Sequence, residues 1–234
     1  MLPIALRPER PADFRAVEEL TRNAFWNHYG PGCDEHYLAH ILRDSPDFIP
    51  ELDYVAVHDG RVVGNIMYTR AKIVLDRGGK REVLCFGPLA VDPDFQGQGA
   101  GGALIERTKS LAREMGYGAI LILGDPDYYS RFGFVPAERY GVGTSWGVYI
   151  ISLQALELRP GALADCAGYF EESGSFQMDP EKAAAFDERF PPREKLSGLP
   201  SQERFQWMIQ QTKPRRPGGR QAAGPVVYTP QAAK

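Results

Sequence analysis

The chain has 234 residues, 43% of them hydrophobic and 24% charged, with a formal net charge of −3. Such a length carries one good core with room for an appendage, and the composition is that of a soluble globular protein. The charge offers no electrostatic case for nucleic acid or an anionic membrane surface, and no apolar run approaches the ~20 residues of a membrane span. The N-terminal stretch MLPIALRPER lacks the apolar centre of a signal peptide. Cys33, Cys85 and Cys166 are scattered and odd in number, so a cytoplasmic chain without disulfides is expected. His36 and His40 have i,i+4 spacing but no third ligand in view, so a solvated helix face is expected and no metal.

In chain order, Ile4 to Arg7 reads as a short strand. Arg10-Pro11-Ala12-Asp13 opens a helix whose apolar stripe is Phe14, Val17, Leu20, Thr21 and Ala24. It breaks around Asn27 to Gly32. A second helix is expected from Asp34, as its cap, to about Asp44, with Tyr37, Leu38 and Ile41 on the buried side. Leu52 to Val57, Val62 to Val74 and Leu84 to Val91 are β-rich and separated by His58-Asp59-Gly60-Arg61 and Arg77-Gly78-Gly79-Lys80, so they predict an antiparallel meander.

The third of these strands runs into VDPDFQGQGAGG, Val91 to Gly102. A helix follows, with Leu104, Thr108, Leu111 and Met115 on one face. Glycines let backbone approach a ligand, and the first N–H groups of a helix have no intrahelical partner, which suits a pyrophosphate. Gly97-Gln98-Gly99-Ala100-Gly101-Gly102 is also a literal G-x-G-x-x-G, with Asp125 downstream, so a nicotinamide-dependent oxidoreductase is one alternative. Context argues against it: Asp92 to Gln96 separate the strand from the first glycine, and the upstream elements are not parallel βαβ units. Ala119 to Leu123 reads as a strand buried on both faces and parallel to Leu84–Val91. Trp146 to Leu153 reads as the last strand.

Gln96-x-x-Gly99-x-Gly101 resembles motif A of the GNAT (GCN5-related) acyl-CoA N-acyltransferases. Tyr129-Ser130-Arg131-Phe132-Gly133-Phe134 resembles that family's Tyr-x-x-x-Gly-Phe signature. The order of elements from Ile4 to Leu153 follows the same family across roughly two thirds of the chain. The Gly-Asp-Pro-x-Tyr-Tyr-x-Arg-Phe-Gly-Phe version looks like the YhbS-like branch. Two positions depart from the common pattern: Ile122 stands where many members have Asn, and Asp125 where Ala is common.

The resemblance implies an α+β GNAT fold: a central, mostly antiparallel twisted sheet with one splayed parallel strand pair and helices on both faces. It implies acetyl or other short-acyl transfer from acyl-CoA to a primary amine, by direct attack in a ternary complex and without a metal. Leu89, Ala90 and Val91 would pair with the pantetheine arm. Gln96, Gly97, Gln98, Gly99, Ala100, Gly101 and Gly102 would hold the pyrophosphate, and Tyr129 would be the general acid. Glu51, Asp53 and Asp127 are candidates for removing the amine's proton, Glu51 first. Phe25, Trp26, His28 and Tyr29, in the loop between the first two helices, are candidates for acceptor contacts. Cys85 reads as a buried structural thiol rather than an acyl carrier. A non-catalytic acyl-CoA-binding module on the same fold is a second alternative.

Residues 1–157 are therefore expected to form the GNAT domain and residues 158–212 a helical extension packed on it or forming a homodimer contact. Residues 213–234 read as a mobile tail. In the extension, Asp179-Pro180-Glu181 starts a helix carrying Phe186 and Phe190, which Pro191-Pro192 stops, and Ser201 caps another carrying Phe205, Met208 and Ile209.

Overall fold

A computed structural model describes residues 3–215. Strand β1 (Ala5–Pro8) leads through a 3-10 turn at Pro11–Asp13 into helix α1 (Phe14–Phe25). The entry is fixed by Asp13, whose carboxylate takes both guanidinium nitrogens of Arg7 (2.6 and 2.9 Å) and the backbone N–H of Arg10 (2.9 Å). The chain breaks at Asn27, which sits at φ 60°, and the Asn27 side chain closes the loop by accepting from Gly32 N (2.8 Å). Helix α2 (Glu35–Leu42) follows. Asp34 occupies its N-cap position but makes no side-chain cap bond, contrary to the expected capping role.

Strands β2 (Tyr54–His58), β3 (Arg61–Leu75) and β4 (Lys80–Val91) form the expected antiparallel meander. Asp59 and Gly60 take positive φ in the first turn, as a two-residue hairpin requires. Helix α3 (Ala100–Glu114) crosses to β5 (Ala119–Leu123), which lies parallel to β4. Alternation along β3 separates the layers: Met67 packs with Leu38, Ala39 and Leu42 of α2, whereas Ile66 and Tyr68 pack with Leu104 and Ile105 of α3. Each fully buried Leu or Ile there contributes about 1.5–3 kcal/mol. Tyr68 Oη meets Thr108 Oγ1 at 2.9 Å, so the buried hydroxyls satisfy each other. At the strand and helix ends two expectations fail. Leu123 is 53% exposed and Met115 42%, because β5 ends and α3 runs out where their neighbours stop.

Helix α4 (Pro126–Tyr129) and a 3-10 turn (Ser130–Phe132) follow β5. Then come β6 (Val135–Pro136), β7 (Val142–Gly143), β8 (Val148–Ile150) and β9 (Leu153–Glu157). The single strand expected over Trp146–Leu153 is thus two pieces. Trp146 lies exposed in a turn closed by Gly147 N to Thr144 O (3.2 Å), and only β9 joins the sheet, antiparallel to β5. The main sheet runs β1-β2-β3-β4-β5-β9-β6.

The extension adds β10 (Gly168–Glu171), α5 (Pro180–Asp187), α6 (Pro200–Gln210) and β11 (Thr212–Pro214). Strand β10 pairs with β3 over Lys72–Leu75, on the edge that β2 occupies further along, while β11 pairs with β8. Asp179 caps α5 through Glu181 N and Lys182 N, as expected. The α6 cap is Leu199, with Pro200 in the first turn, rather than Ser201. The expected solvated histidine face is covered by α5: His36 is fully buried, 3.0 Å from Asp187 and packed on Phe186 and Phe190. His40 pairs with Glu18 at 2.8 Å. Residues 216–234, most of the expected tail, lie outside the described residues. Among the described residues no helix is long and apolar enough to cross a membrane, and no cluster of metal-type ligands occurs.

Candidate functional site

The parallel strands β4 and β5 meet at Leu84 and Ile120, their one register pair among the described residues. The cause of their separation lies on the other edge of β4. Against β3, Tyr68 faces Phe86 and Ile66 faces Leu89, so β4 carries an extra residue at Gly87-Pro88. A bulge bends the strand that holds it. Among the described residues no register pair joins β4 to β5 beyond Leu84 and Ile120, so Leu89, Ala90 and Val91 run on without a paired strand on the β5 side.

At the end of β4 the loop folds on its own polar side chains. Asp92 accepts from Asp94 N (3.0 Å), Gln96 donates to Val91 O (3.1 Å) and Gln98 to Asp94 O (2.9 Å). The glycines divide into two kinds. Gly97 (φ 72°) and Gly99 (φ 96°) are needed for backbone conformation, and Gly99 is the N-cap of α3. Gly101 and Gly102 are needed for space: a Cβ on Gly101 would lie 2.6 Å from Tyr128 Oη, and one on Gly102 3.1 Å from the Phe132 ring. The first backbone N–H groups of α3 have no intrahelical partner, the condition an anion site at a helix start requires.

Tyr129 is the last residue of α4, just past the carboxyl end of β5. Asp125 caps that helix through Asp127 N (2.9 Å), and its carbonyl receives Tyr129 N (3.0 Å). The Tyr129 ring lies 5.8 Å from Phe86, 5.7 Å from Phe134 and 4.9 Å from Tyr128. Gly124 also lies directly against it, where any Cβ would collide with the ring. Dense packing around the partly exposed side chain pushes its phenol well above the ordinary value near 10, so it holds its proton.

Of the loop aromatics, Phe25, His28 and Tyr29 come together, with Tyr29 5.7 Å from Phe25 and 4.7 Å from His28. Trp26 turns away: its indole N–H donates to Glu194 O (2.9 Å) and Arg22 stacks on it. Burial raises Tyr29 to about 12, with the charges of Glu35 and Asp125 adding to the shift. Beside Tyr29 and Phe25 opens a cavity of about 630 Å³ between this loop and α5, reached by Glu35, Asp187 and Lys195 among others. It shares only Phe25 and Tyr29 with the residues predicted from sequence. Burial raises Glu35 to about 7. Cys33 also lines this cavity, 3.6 Å from His36 Nδ1. Burial pushes that thiol far up and its imidazole neighbour down to about 4, so neither is charged at neutral pH.

The carboxylates expected as bases are dispersed. Glu51 is exposed in a 3-10 turn, Pro50–Leu52. Asp53 is buried, bonded to Asn65 (3.0 Å) and raised by burial and by Glu9, so it serves the fold as a neutral carboxyl. Asp127 is held by Arg204 at 2.6 Å. Cys85 is buried and its thiol is pushed well up by burial, in keeping with a structural role.

Residues 51–136 match the family model for the acetyltransferase (GNAT) domain. Over 167 residues the chain is 31% identical to the uncharacterized N-acetyltransferase YhbS of Escherichia coli K12, covering 71% of this chain and 94% of that one. This chain belongs to the GNAT N-acetyltransferase family. The crystal structure of Escherichia coli YhbS in complex with CoA aligns with a TM-score of 0.67 at 30% identity, over 76% of this GNAT chain and 94% of that one. A Brucella melitensis GNAT family acetyltransferase in complex with acetyl-CoA aligns with a TM-score of 0.59 at 27% identity, over 75% and 99%.

Four residues at or near the site were not assigned to it from sequence: Tyr128, Glu35, Arg204 and Phe205. Tyr128 differs from its neighbour only by register. Glu35 looks like any acidic residue in a first helical turn. Arg204 and Phe205 reach the site from α6, and the one hint was Asp125, which departs from the usual family residue.

Proposed function

We propose that this GNAT chain transfers an acetyl or other short acyl group from acyl-CoA to a primary amine. The observation that carries the proposal is that β4 and β5 pair only at Leu84 and Ile120 among the described residues, with the glycine-rich start of α3 following one strand and Tyr129 following the other. The CoA and acetyl-CoA complexes of the two similar proteins support the same donor here.

In this reading the N–H groups of Gln98 to Gly102 hold the pyrophosphate of the donor, and Leu89 to Val91 pair with its pantetheine arm as an added strand. The amine attacks the thioester carbonyl, and a main-chain N–H near Leu89 stabilises the oxyanion. The tetrahedral adduct collapses, the C–S bond breaks, and Tyr129 gives its proton to the leaving thiolate. A phenol held in its protonated form suits that role. The amine arrives as an ammonium and must lose a proton first. Glu35, near 7 beside Tyr29 and the cavity, is better matched to that task than the exposed Glu51. Tyr29, Phe25 and His28 form the aromatic wall that the acceptor would meet.

The test is thermal stabilisation by acetyl-CoA, CoA and NAD, followed by thiol release from acetyl-CoA with spermidine, tyramine, a glycyl peptide and poly-lysine. Expected are stabilisation by both CoA species and not by NAD, and turnover of at least one amine. Tyr129→Phe should keep acetyl-CoA affinity and lose about 10²-fold or more in kcat. Binding without turnover of any amine would favour an acyl-CoA-binding module, and stabilisation by NAD alone would overturn the donor.

A further inference from the structure

The turn that carries Tyr129 is gripped from outside the region matched by the GNAT family model, which ends at residue 136. Arg204 of α6 sets a two-pronged hold on Asp125, Nε to Oδ2 and Nη2 to Oδ1, both at 2.9 Å. The same Nη2 reaches Asp127 Oδ2 at 2.6 Å. Asp125 in turn receives the backbone N–H groups of Asp127, Tyr128 and Tyr129. The guanidinium also stacks on Trp207, 4.6 Å away on its own helix. It holds the Asp125 carboxyl below the usual carboxylate range, so the hold persists through neutral pH.

Helix α6 is tied equally to the other side of the site. Gln202 donates to Asn27 O and Leu196 O, both at 2.9 Å. Phe205 packs on Tyr29 at 4.8 Å. One short helix therefore joins the Tyr129 turn to the aromatic loop, two segments separated by most of the sheet in sequence.

We infer that Arg204 is a positioning residue for acyl transfer: its hold on Asp125 sets where the Tyr129 hydroxyl sits relative to the donor thioester. The inference rests on Tyr129 acting as general acid. A purely structural role makes a different prediction. Arg204 is 36% exposed, Asp125 30% and Asp127 81%, so solvent screens these pairs and their loss moves stability modestly, the bidentate one most. Misplacing a catalytic group by ~1 Å costs about 10²-fold in rate. The positional role thus predicts a large kinetic effect with a small thermal one.

The experiment compares wild type, Arg204→Gln, Arg204→Lys, Tyr129→Phe and the double variant Arg204→Gln/Tyr129→Phe. Turnover is read as thiol release from acetyl-CoA with the best amine of the panel. Arg204→Gln should lower kcat by about 10-fold or more, leave the KM for acetyl-CoA within about twofold and lower Tm by no more than a few degrees. Arg204→Lys, which keeps the charge without the fork, should recover only part of that loss. In the Tyr129→Phe background the Arg204 change should cost nothing further in kcat. Equal losses in both backgrounds would overturn the inference.

A second readout does not need turnover. In protein labelled with 3-fluorotyrosine, the Tyr129 resonance is identified by its absence in Tyr129→Phe. Arg204→Gln should shift or broaden it. An unmoved resonance overturns the positioning role. A moved one in a protein that turns over no amine shows that Arg204 places the Tyr129 ring, but overturns its role in acyl transfer together with the proposed function.

Discussion

The hydroxyl of Tyr128 lies 2.6 Å from where a Cβ on Gly101 would stand. The second half of the glycine loop is therefore shaped by an aromatic neighbour. Gly101→Ala should force the Tyr128 ring off its seat, at about 1–3 kcal/mol of stability, and weaken acetyl-CoA binding. Tyr128→Phe removes the colliding atom, since the next one on that ring is 3.9 Å away. The double variant should consequently be more stable than Gly101→Ala alone. Urea denaturation of the three proteins decides this, and a double variant no better than the single one would refute the contact as the cause.

Glu35 predicts a pH dependence. Its folded value is about 7, against ~4.3 for an unfolded chain. The folded protein keeps this proton where the unfolded one releases it. The stability linked to the group is whole below the unfolded value and is lost as pH rises through the folded one. Glu35→Gln mimics the protonated form at every pH. Its stability relative to wild type should grow between pH 5 and pH 8, by at most about 3 kcal/mol. A flat difference across that range would show that Glu35 is ionised throughout.

Removing Asp187 should loosen the extension. Arg22, whose side chain is 3% exposed, pairs with it at 2.6 Å and also donates to Pro191 O at 3.0 Å. Asp187→Ala leaves a buried guanidinium without its carboxylate, a loss of about 3–5 kcal/mol. Denaturant midpoints measure it, and hydrogen exchange should place the lost protection in α5 and the facing turns of α1 and α2.

Asp53 separates charge from shape. Its carboxyl is kept neutral by burial and by Glu9, so Asp53→Asn should be nearly silent at pH 7. Asp53→Ala strips a partner from the buried Asn65 amide and should cost about 1–3 kcal/mol. Equal losses in the two variants would mean that the carboxyl is charged after all.

The meander, the parallel crossover and the glycine loop were legible because their signals are local: apolar alternation, turn glycines and a helical stripe lie within a few residues of each other. The bend of β4 was legible only in retrospect, from the proline inside a strand at Gly87-Pro88. Tyr129 was legible through its motif, yet nothing near it in sequence announced Arg204, whose partners are 79 and 77 residues away. The burial of His36 was equally hidden, because the rings that cover it belong to Phe186 and Phe190. Periodicity reports which face of a helix is polar; it does not report that a distant segment will satisfy those polar atoms. The single strand over Trp146–Leu153 failed for a related reason: an apolar run records β-propensity without saying what will cover it, and Trp146, 77% exposed, sits in a turn that nothing buries.

The place of β10 has a consequence for association. Strand β3 is long enough that β2 covers only part of its outer edge, and β10 takes the stretch Lys72–Leu75. A chain ended at Glu157 would leave that stretch as bare main chain beside apolar Ile73 and Val74, a template for a second molecule to add a strand. Light scattering should show such a shortened chain aggregating at concentrations where the full chain stays monodisperse.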